Sequence, residues 1–176
     1  MKNKLNETQI AKDNWDRYVR ARDAGHSRYV REATRFDEFY MGEQWSDEDR
    51  SRLEEEGRPA LTINHILSTV NAAIGEQAGR RADITFKPRR GKASQAVAEV
   101  LTKTFEHILD ENDYQKCIEH VVYSDGLIQD RGYIDVRIDT DESVLGEIRL
   151  NTEDPITVIP DPQSKSYDPR QWNEVF

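Results

Sequence analysis

Four histidines, one cysteine and a scatter of carboxylates are the groups in this chain that could do chemistry. His26, His65, His107 and His120 include no pair at i, i+3 or i, i+4 spacing, so no single helix offers two imidazoles to one metal ion. His107 and His120 fall on two helices expected to be neighbours. A metal pair between them is one reading; separate surface or half-buried histidines are the default. The acidic run Asp139-Thr140-Asp141-Glu142 invites a calcium loop, but an EF-hand starting at Asp139 needs Gly where Val144 stands and Glu where Leu150 stands. A solvated turn is the better reading.

Asp125 is the most interesting carboxylate. It shares the helical register of Cys117, Ile118, Val121 and Ile128, so it is expected to point inward. A buried carboxylate must be paired, hydrogen-bonded or protonated. It reads as a general acid or base with a raised pKa, or as a structural anchor held by backbone groups or by an arginine such as Arg131. No partner nucleophile is visible, which favours the anchor. Phosphate-binding glycine loops, dinucleotide fingerprints, metalloprotease histidine pairs and nucleophile elbows are all absent. The expectation is a protein that is not an enzyme, with no catalytic residue, no cofactor and no metal.

One region is positive: Arg80, Arg81, Lys87, Arg89, Arg90 and Lys92, with Phe86 interleaved. It could touch DNA backbone or an acidic neighbouring subunit. It could equally be a solvated loop, with Arg80 and Arg81 stabilising a helix C-terminus. Trp45 and Trp172 sit beside loop punctuation. Trp is favoured at interface centres, and Trp45 could equally pack beneath its own loop.

The elements that carry these groups follow from periodicity. Trp15, Tyr18, Val19, Tyr29, Ala33, Phe36 and Tyr40 keep a helical face over a long span, with a bend expected at Gly25 and a stop at Gly42. Residues 1–14 are expected to form a flexible N-terminus. Ser46-Asp47-Glu48-Asp49 reads as a helix start with carboxylates at the positive helix end. Gly57-Arg58-Pro59 reads as a stop. Ile63, Ile66, Leu67, Val70 and Ile74 resume helical spacing, and Gly75 and Gly79 suggest close backbone packing. Asp83–Lys87 alternates like a short strand. Ser94 caps a helix with the stripe Val97, Leu101, Phe105, Ile108 and Leu109; a second helix carries Tyr114 to Ile128, and the short link predicts antiparallel neighbours. The period then changes to two over Ile134–Ile138 and Ile148–Leu150, a hairpin with its turn across 140–146, and Ile156–Ile159 is expected as a third strand.

The fold class is therefore α+β: amphipathic helices, helical over 15–131, packed with a small, mostly antiparallel sheet in a β-rich part over 132–176. The hydrophobic share of 36% and charged share of 34% compare with about 45–50% and about 25% in ordinary globular domains. The core must be thin, so the chain is expected to be partly extended, partly disordered at its ends, or completed by neighbouring subunits. A net charge of −9 disfavours a simple nucleic-acid-binding domain. With Cys117 as the single cysteine, no disulfide within the chain can form. No apolar h-region or bilayer-length apolar run is present, so no membrane partner is expected.

Two ordered tracts carry a resemblance. The first is Tyr40-Met-Gly-Glu-Gln-Trp45, followed by Gly57-Arg-Pro59 and Leu61-Thr-Ile-Asn64. The second is Ile159-Pro-Asp-Pro162 with Asp168. Between them lie Phe86-Lys-Pro88 and Asp125-Gly-Leu-Ile-Gln-Asp-Arg-Gly132. In this order they resemble the N-terminal wing region of the portal proteins of short-tailed bacteriophages, over roughly residues 35–176. The resemblance implies a structural subunit of a ring, typically twelve-fold, at one capsid vertex. Double-stranded DNA would enter and leave through that ring during packaging and ejection. Implied partners are other portal subunits, capsid and scaffolding proteins, and the terminase and tail adaptor through regions beyond this stretch. The implied location is the virion, and the host cytoplasm during assembly. The family's stem and clip lie outside the matched region, so the chain is expected to be an N-terminal fragment, incomplete at its C-terminus. Trp45, Arg58, Asp125 and Asp161 are the residues expected to serve interfaces or structure. The alternative is an independent nucleic-acid-binding module using Arg80–Lys92.

Overall fold

A computed structural model of the chain describes residues 7–80, 83–89, 94–141, 146–166 and 168–176. The first half is helical. α1 (Glu7–Ala21) runs into a wide turn, Arg22–His26, and then α2 (Ser27–Met41). The chain kinks at Gly25, whose backbone leaves the helical region, as the interrupted apolar pattern predicts. The boundary expected at residue 15 falls inside α1, where residues 7–17 are all exposed. α2 stops where Gly42 turns left-handed at φ 92°. Glycine adopts that backbone without a Cβ penalty.

α3 (Asp47–Glu55) starts as its sequence demands: the Ser46 hydroxyl accepts from the Asp49 backbone N–H at 3.1 Å, and Asp47, Glu48 and Asp49 crowd its positive end. Gly57, at φ 68°, closes it. α4 (His65–Ala78) is capped by Asn64, and α5 (Gln95–Glu111) by Ser94. Asp113, left-handed at φ 46°, leads into a wide turn, Tyr114–Ile118, that opens α6 (Glu119–Gln129). α6 ends at Asp130, also left-handed, a conformation Asp tolerates better than most residues.

Helix packing differs from the expected pairing. α6 packs chiefly against α2 and α4, while α5 meets mainly the Tyr114–Ile118 turn. The left-handed Asp113 redirects the chain, so the short link does not make α5 and α6 flat neighbours. The expected α5 stripe is correspondingly bare at its start: Val97 and Leu101 are exposed, and the buried residue is Ala98. Gly75 has open space where a Cβ would stand, so it mediates no close packing.

The sheet is a single antiparallel pair among the described residues, β1 (Tyr133–Asp139) and β2 (Glu147–Glu153), in the register Val136↔Leu150. Its alternating sequence places Ile134, Val136, Ile138, Ile148 and Leu150 on one face. The segment expected as a third strand forms a turn instead, with Thr157 N–H bonded to the Asp154 carbonyl. The chain then makes one bridge, Pro160↔Val175. Asp83–Lys87 is likewise extended without joining a ladder. Its alternation supplies the backbone shape, but a strand also needs a hydrogen-bonding neighbour. Here the Phe86 N–H goes to the Thr102 hydroxyl, and the Phe86 ring meets Phe105 edge-on at 5.7 Å.

The core is thin, as composition requires. Ala21, Tyr29, Ala33, Leu53, Ala98, Ile118 and Ile159 are buried, whereas Trp15, Leu61, Ile63, Val136 and Ile138 are largely exposed.

Candidate functional site

The first tract folds back on itself. The Asn64 amide spans the loop between α2 and α4. Its Nδ2 donates to the Tyr40 carbonyl at 2.8 Å, an orphan acceptor at the end of α2, and its Oδ1 accepts from Leu67 N–H at 3.1 Å, an orphan donor at the start of α4. Two more bonds run parallel. The Tyr40 hydroxyl donates to Asn71 Oδ1 at 2.8 Å, and the Trp45 indole donates to the Leu61 carbonyl at 3.2 Å. A Cβ on Gly42 would stand 3.3 Å from Asn64 Nδ2. The spacing of Tyr40, Gly42, Trp45, Leu61 and Asn64 is thus the spacing of one stitched loop. Trp45 packs against that loop while keeping a relative exposure of 37%. Among the described residues Arg58 pairs only with nearby Glu56, at 3.2 Å, and it stays exposed.

The second tract closes around Asp161. This carboxylate is 6% exposed. Oδ1 accepts from Gln163 N–H at 2.8 Å; Oδ2 accepts from the Asn173 N–H and amide at 3.0 and 2.9 Å. The backbone donors of Asn173 and Gln163 favour the charged form and hold Asp161 below the usual carboxylate range. Ile159 and Phe176 exchange two backbone bonds, and the Trp172 indole donates to the Ser166 carbonyl at 2.6 Å. Asp168 caps the short turn Pro169–Gln171 and holds Arg170.

Between the tracts lies a polar joint where α2, α6 and the segment after β2 meet. His26 donates from Nε2 to the Ile156 carbonyl at 2.9 Å, leaving Nδ1 buried without a partner among the described residues. Burial is the main cause that lowers its pKa, which favours the neutral ring. The Arg131 guanidinium stands 3.9 Å from the centroid of the Tyr29 ring, a cation–π contact. Burial pushes the Tyr29 phenol up to about 12. Asp125 is half-buried on α6, as its register predicts, but Arg131 is not its partner. Burial first, then the charges of Asp154 and Asp37, raise its pKa; Asp37 is raised by burial and Asp154 against a 2.8 Å bond from Gln129. Behind α6 the chain must pass close: a Cβ on Gly132 would collide with the Val122 carbonyl oxygen. The sequence placed Tyr29 on the helical face and counted His26 among the surface or half-buried histidines, but it did not bring them together with Asp37 and Asp154. They lie far apart along the chain, and only tertiary packing unites them.

Of the basic stretch, Arg80, Lys87 and Arg89 lie among the described residues. Arg80 pairs with Glu76 one turn back on α4, and Lys87 and Arg89 are exposed on the extended segment. Arg81, Arg90 and Lys92 lie outside the described residues, as does the turn across 142–145. His107 pairs with Glu111 at 3.3 Å, and no cluster of metal-ligating side chains occurs among the described residues.

A family model for phage P22-like portal proteins matches residues 15–176. The chain belongs to this family. Both stitched loops and the joint lie inside the matched span. No curated protein matches the chain significantly. Among the described residues of this portal-family chain, no helix is long and apolar enough to cross a membrane.

Proposed function

We propose that this portal-family chain is a structural, non-catalytic subunit of a ring at a capsid vertex, serving genome packaging and ejection in the virion. The ring is twelve-fold when the subunit is complete, and the chain supplies the N-terminal part of its wing. Its neighbours are other portal subunits, capsid and scaffolding proteins, with DNA passing through the channel. The observation that carries the reading is the family match over residues 15–176. Two features support it. The polar groups that would be candidates for chemistry are spent on closing loops, as Asn64 and Asp161 show. Many large apolar side chains stay exposed, including Leu61, Ile63, Val136 and Ile138, which suits a subunit buried by neighbours.

Immunogold electron microscopy with serum raised against this chain tests the proposal. Gold on a single vertex of phage particles from the producing cells is expected. Labelling spread over the shell, or particles without label, would overturn it. A nucleic-acid-binding module remains the second reading because Lys87 and Arg89 are exposed beside the Phe86 ring. It requires salt-sensitive binding to duplex DNA that falls when both become Ala. Absence of binding at low salt removes it.

A further inference from the structure

The hairpin has one closed edge and one open edge. On β2, the Asn112 side chain stands in for a strand: Nδ2 donates to the Ile148 carbonyl and Oδ1 accepts from the Leu150 N–H, both at 2.9 Å. A strand residue points its N–H and C=O to the same side. Ile148 and Leu150 therefore face away from β1, and by the register the backbone groups of Ile134, Val136 and Ile138 face outward from β1. They have no backbone partner among the described residues. The side chains of Val136 and Ile138 are 65% and 70% exposed. Such an edge is a template for strand addition.

Elsewhere the chain holds a strand without a sheet. Residues 83–89 are extended and exposed. The Phe86 N–H turns to the Thr102 hydroxyl on α5. By the same alternation the backbone groups of Asp83, Thr85 and Lys87 turn away from α5. They too have no backbone partner among the described residues. Ile84 and Phe86 alternate with them and keep exposed apolar side chains.

We propose that the outer edge of β1 takes the extended segment 83–89 of the next copy of this chain, as a parallel strand. Two independent observations set that direction. The first is backbone alternation. Antiparallel pairing would put the open groups of Thr85 opposite those of Val136, and so Ile84 and Phe86 beside Arg137 and Asp135. Parallel pairing lets Val136 donate to the Thr85 carbonyl and accept from the Lys87 N–H. Phe86 then lies beside Val136 and Ile84 beside Ile134, all on one apolar face. The second observation is charge. The basic end of the segment, Lys87 and Arg89, runs toward the acidic end of β1, Asp139 and Asp141, with Arg89 beside Asp139. The reverse direction would carry it toward Arg131. Opposite charges side by side favour the pairing. One like-charge contact, Lys87 beside Arg137, is tempered by Asp135, 3.8 Å from Arg137. The two surfaces differ, so the contact is heterologous and passes from copy to copy, as a ring requires. It deepens the ring reading, and rests on that reading for its closure into a ring.

Sedimentation velocity of the complete chain over a range of concentrations tests this. Association that grows past the dimer is expected. Val136→Pro and Thr85→Pro each remove one outward N–H and no bond within the chain, which an edge strand tolerates. Each should weaken association about tenfold with the circular dichroism unchanged. Mixed, the two variants hold one intact surface each, and they should form a dimer that grows no further. If either proline disturbs the fold, charge decides: Arg89→Glu should weaken association several-fold, and the double variant Arg89→Glu/Asp139→Lys should restore it. A chain monomeric at every concentration would overturn the proposal. So would assemblies indifferent to these substitutions, a mixture no larger than its separate variants, or association that appears only with duplex DNA. Vertex labelling by a chain that fails these tests would refute the contact and leave the ring reading; association that passes them without vertex labelling would do the reverse.

Discussion

Asn64 and Asp161 occupy equivalent positions in the two tracts. Each is one side chain that satisfies backbone groups from segments brought together by a loop. Asn64 does so with a neutral amide that donates to Tyr40 and accepts from Leu67. Asp161 does so with a carboxylate that only accepts, from Gln163 and Asn173. The difference follows from what each must satisfy. The end of a helix leaves carbonyls and the start of the next leaves N–H groups, so the first loop needs a donor and an acceptor in one group. The second loop offers N–H groups alone, which suits a charged acceptor. One loop is therefore indifferent to pH and the other is not.

The largest effect is expected from Asn64→Ala, which removes a helix cap and the Tyr40 bond together. It should cost about 2 kcal/mol by denaturant unfolding, and the loss should be equal at pH 7 and pH 3. Asp161→Asn is next. The folded pKa of Asp161 is lowered, so its contribution is fully present above the ordinary aspartate pKa of about 3.9 and is lost as pH falls through the folded value. The variant should melt below the parent at pH 7, and the gap should shrink in strong acid. A gap unchanged by pH would show that the charge is irrelevant and would break the contrast with Asn64.

A smaller effect of opposite sign is expected at the joint. Asp125 has its pKa raised by burial and by Asp154 and Asp37, so its ionisation opposes folding at neutral pH. That cost is relieved as pH falls through the raised value. Asp125→Asn should raise Tm modestly at pH 7 and flatten this part of the pH profile. A lower Tm would mean that the carboxylate is needed charged. The smallest effect belongs to Arg58→Ala, whose only partner among the described residues is exposed Glu56. Its stability should stay within about 0.5 kcal/mol of the parent. A clear loss of assembly with unchanged Tm would move Arg58 from loop punctuation to a contact surface.

What the sequence made legible is what neighbours along the chain decide. Ser46, Ser94, Gly42 and Gly57 act on backbone within a few residues, so helix limits could be read directly. The hairpin followed from alternation at Ile134–Ile138 and Ile148–Leu150, while its register came only from the structure. The partners of α6, the bare start of α5 and the carboxylates around Asp125 depend on contacts between distant segments, for which one sequence carries no local signal. Asp83–Lys87 and Ile156–Ile159 show the same limit on a smaller scale. Their patterns suit extended chain, yet whether a ladder forms rests on what lies alongside. The residues of the tracts were visible by type and order, but their roles as donors and acceptors emerged only from geometry.

Asn112 has a consequence for solubility. A sheet with two free sides can grow like a polymer, one molecule after another, toward cross-β fibres. Here the amide already bonded to Ile148 and Leu150 behaves as a chain terminator on one side. A strand cannot add to that side, because the Ile148 carbonyl and the Leu150 N–H are already taken. On a chain with so much exposed apolar surface, one neutral side chain thus closes that side to runaway stacking.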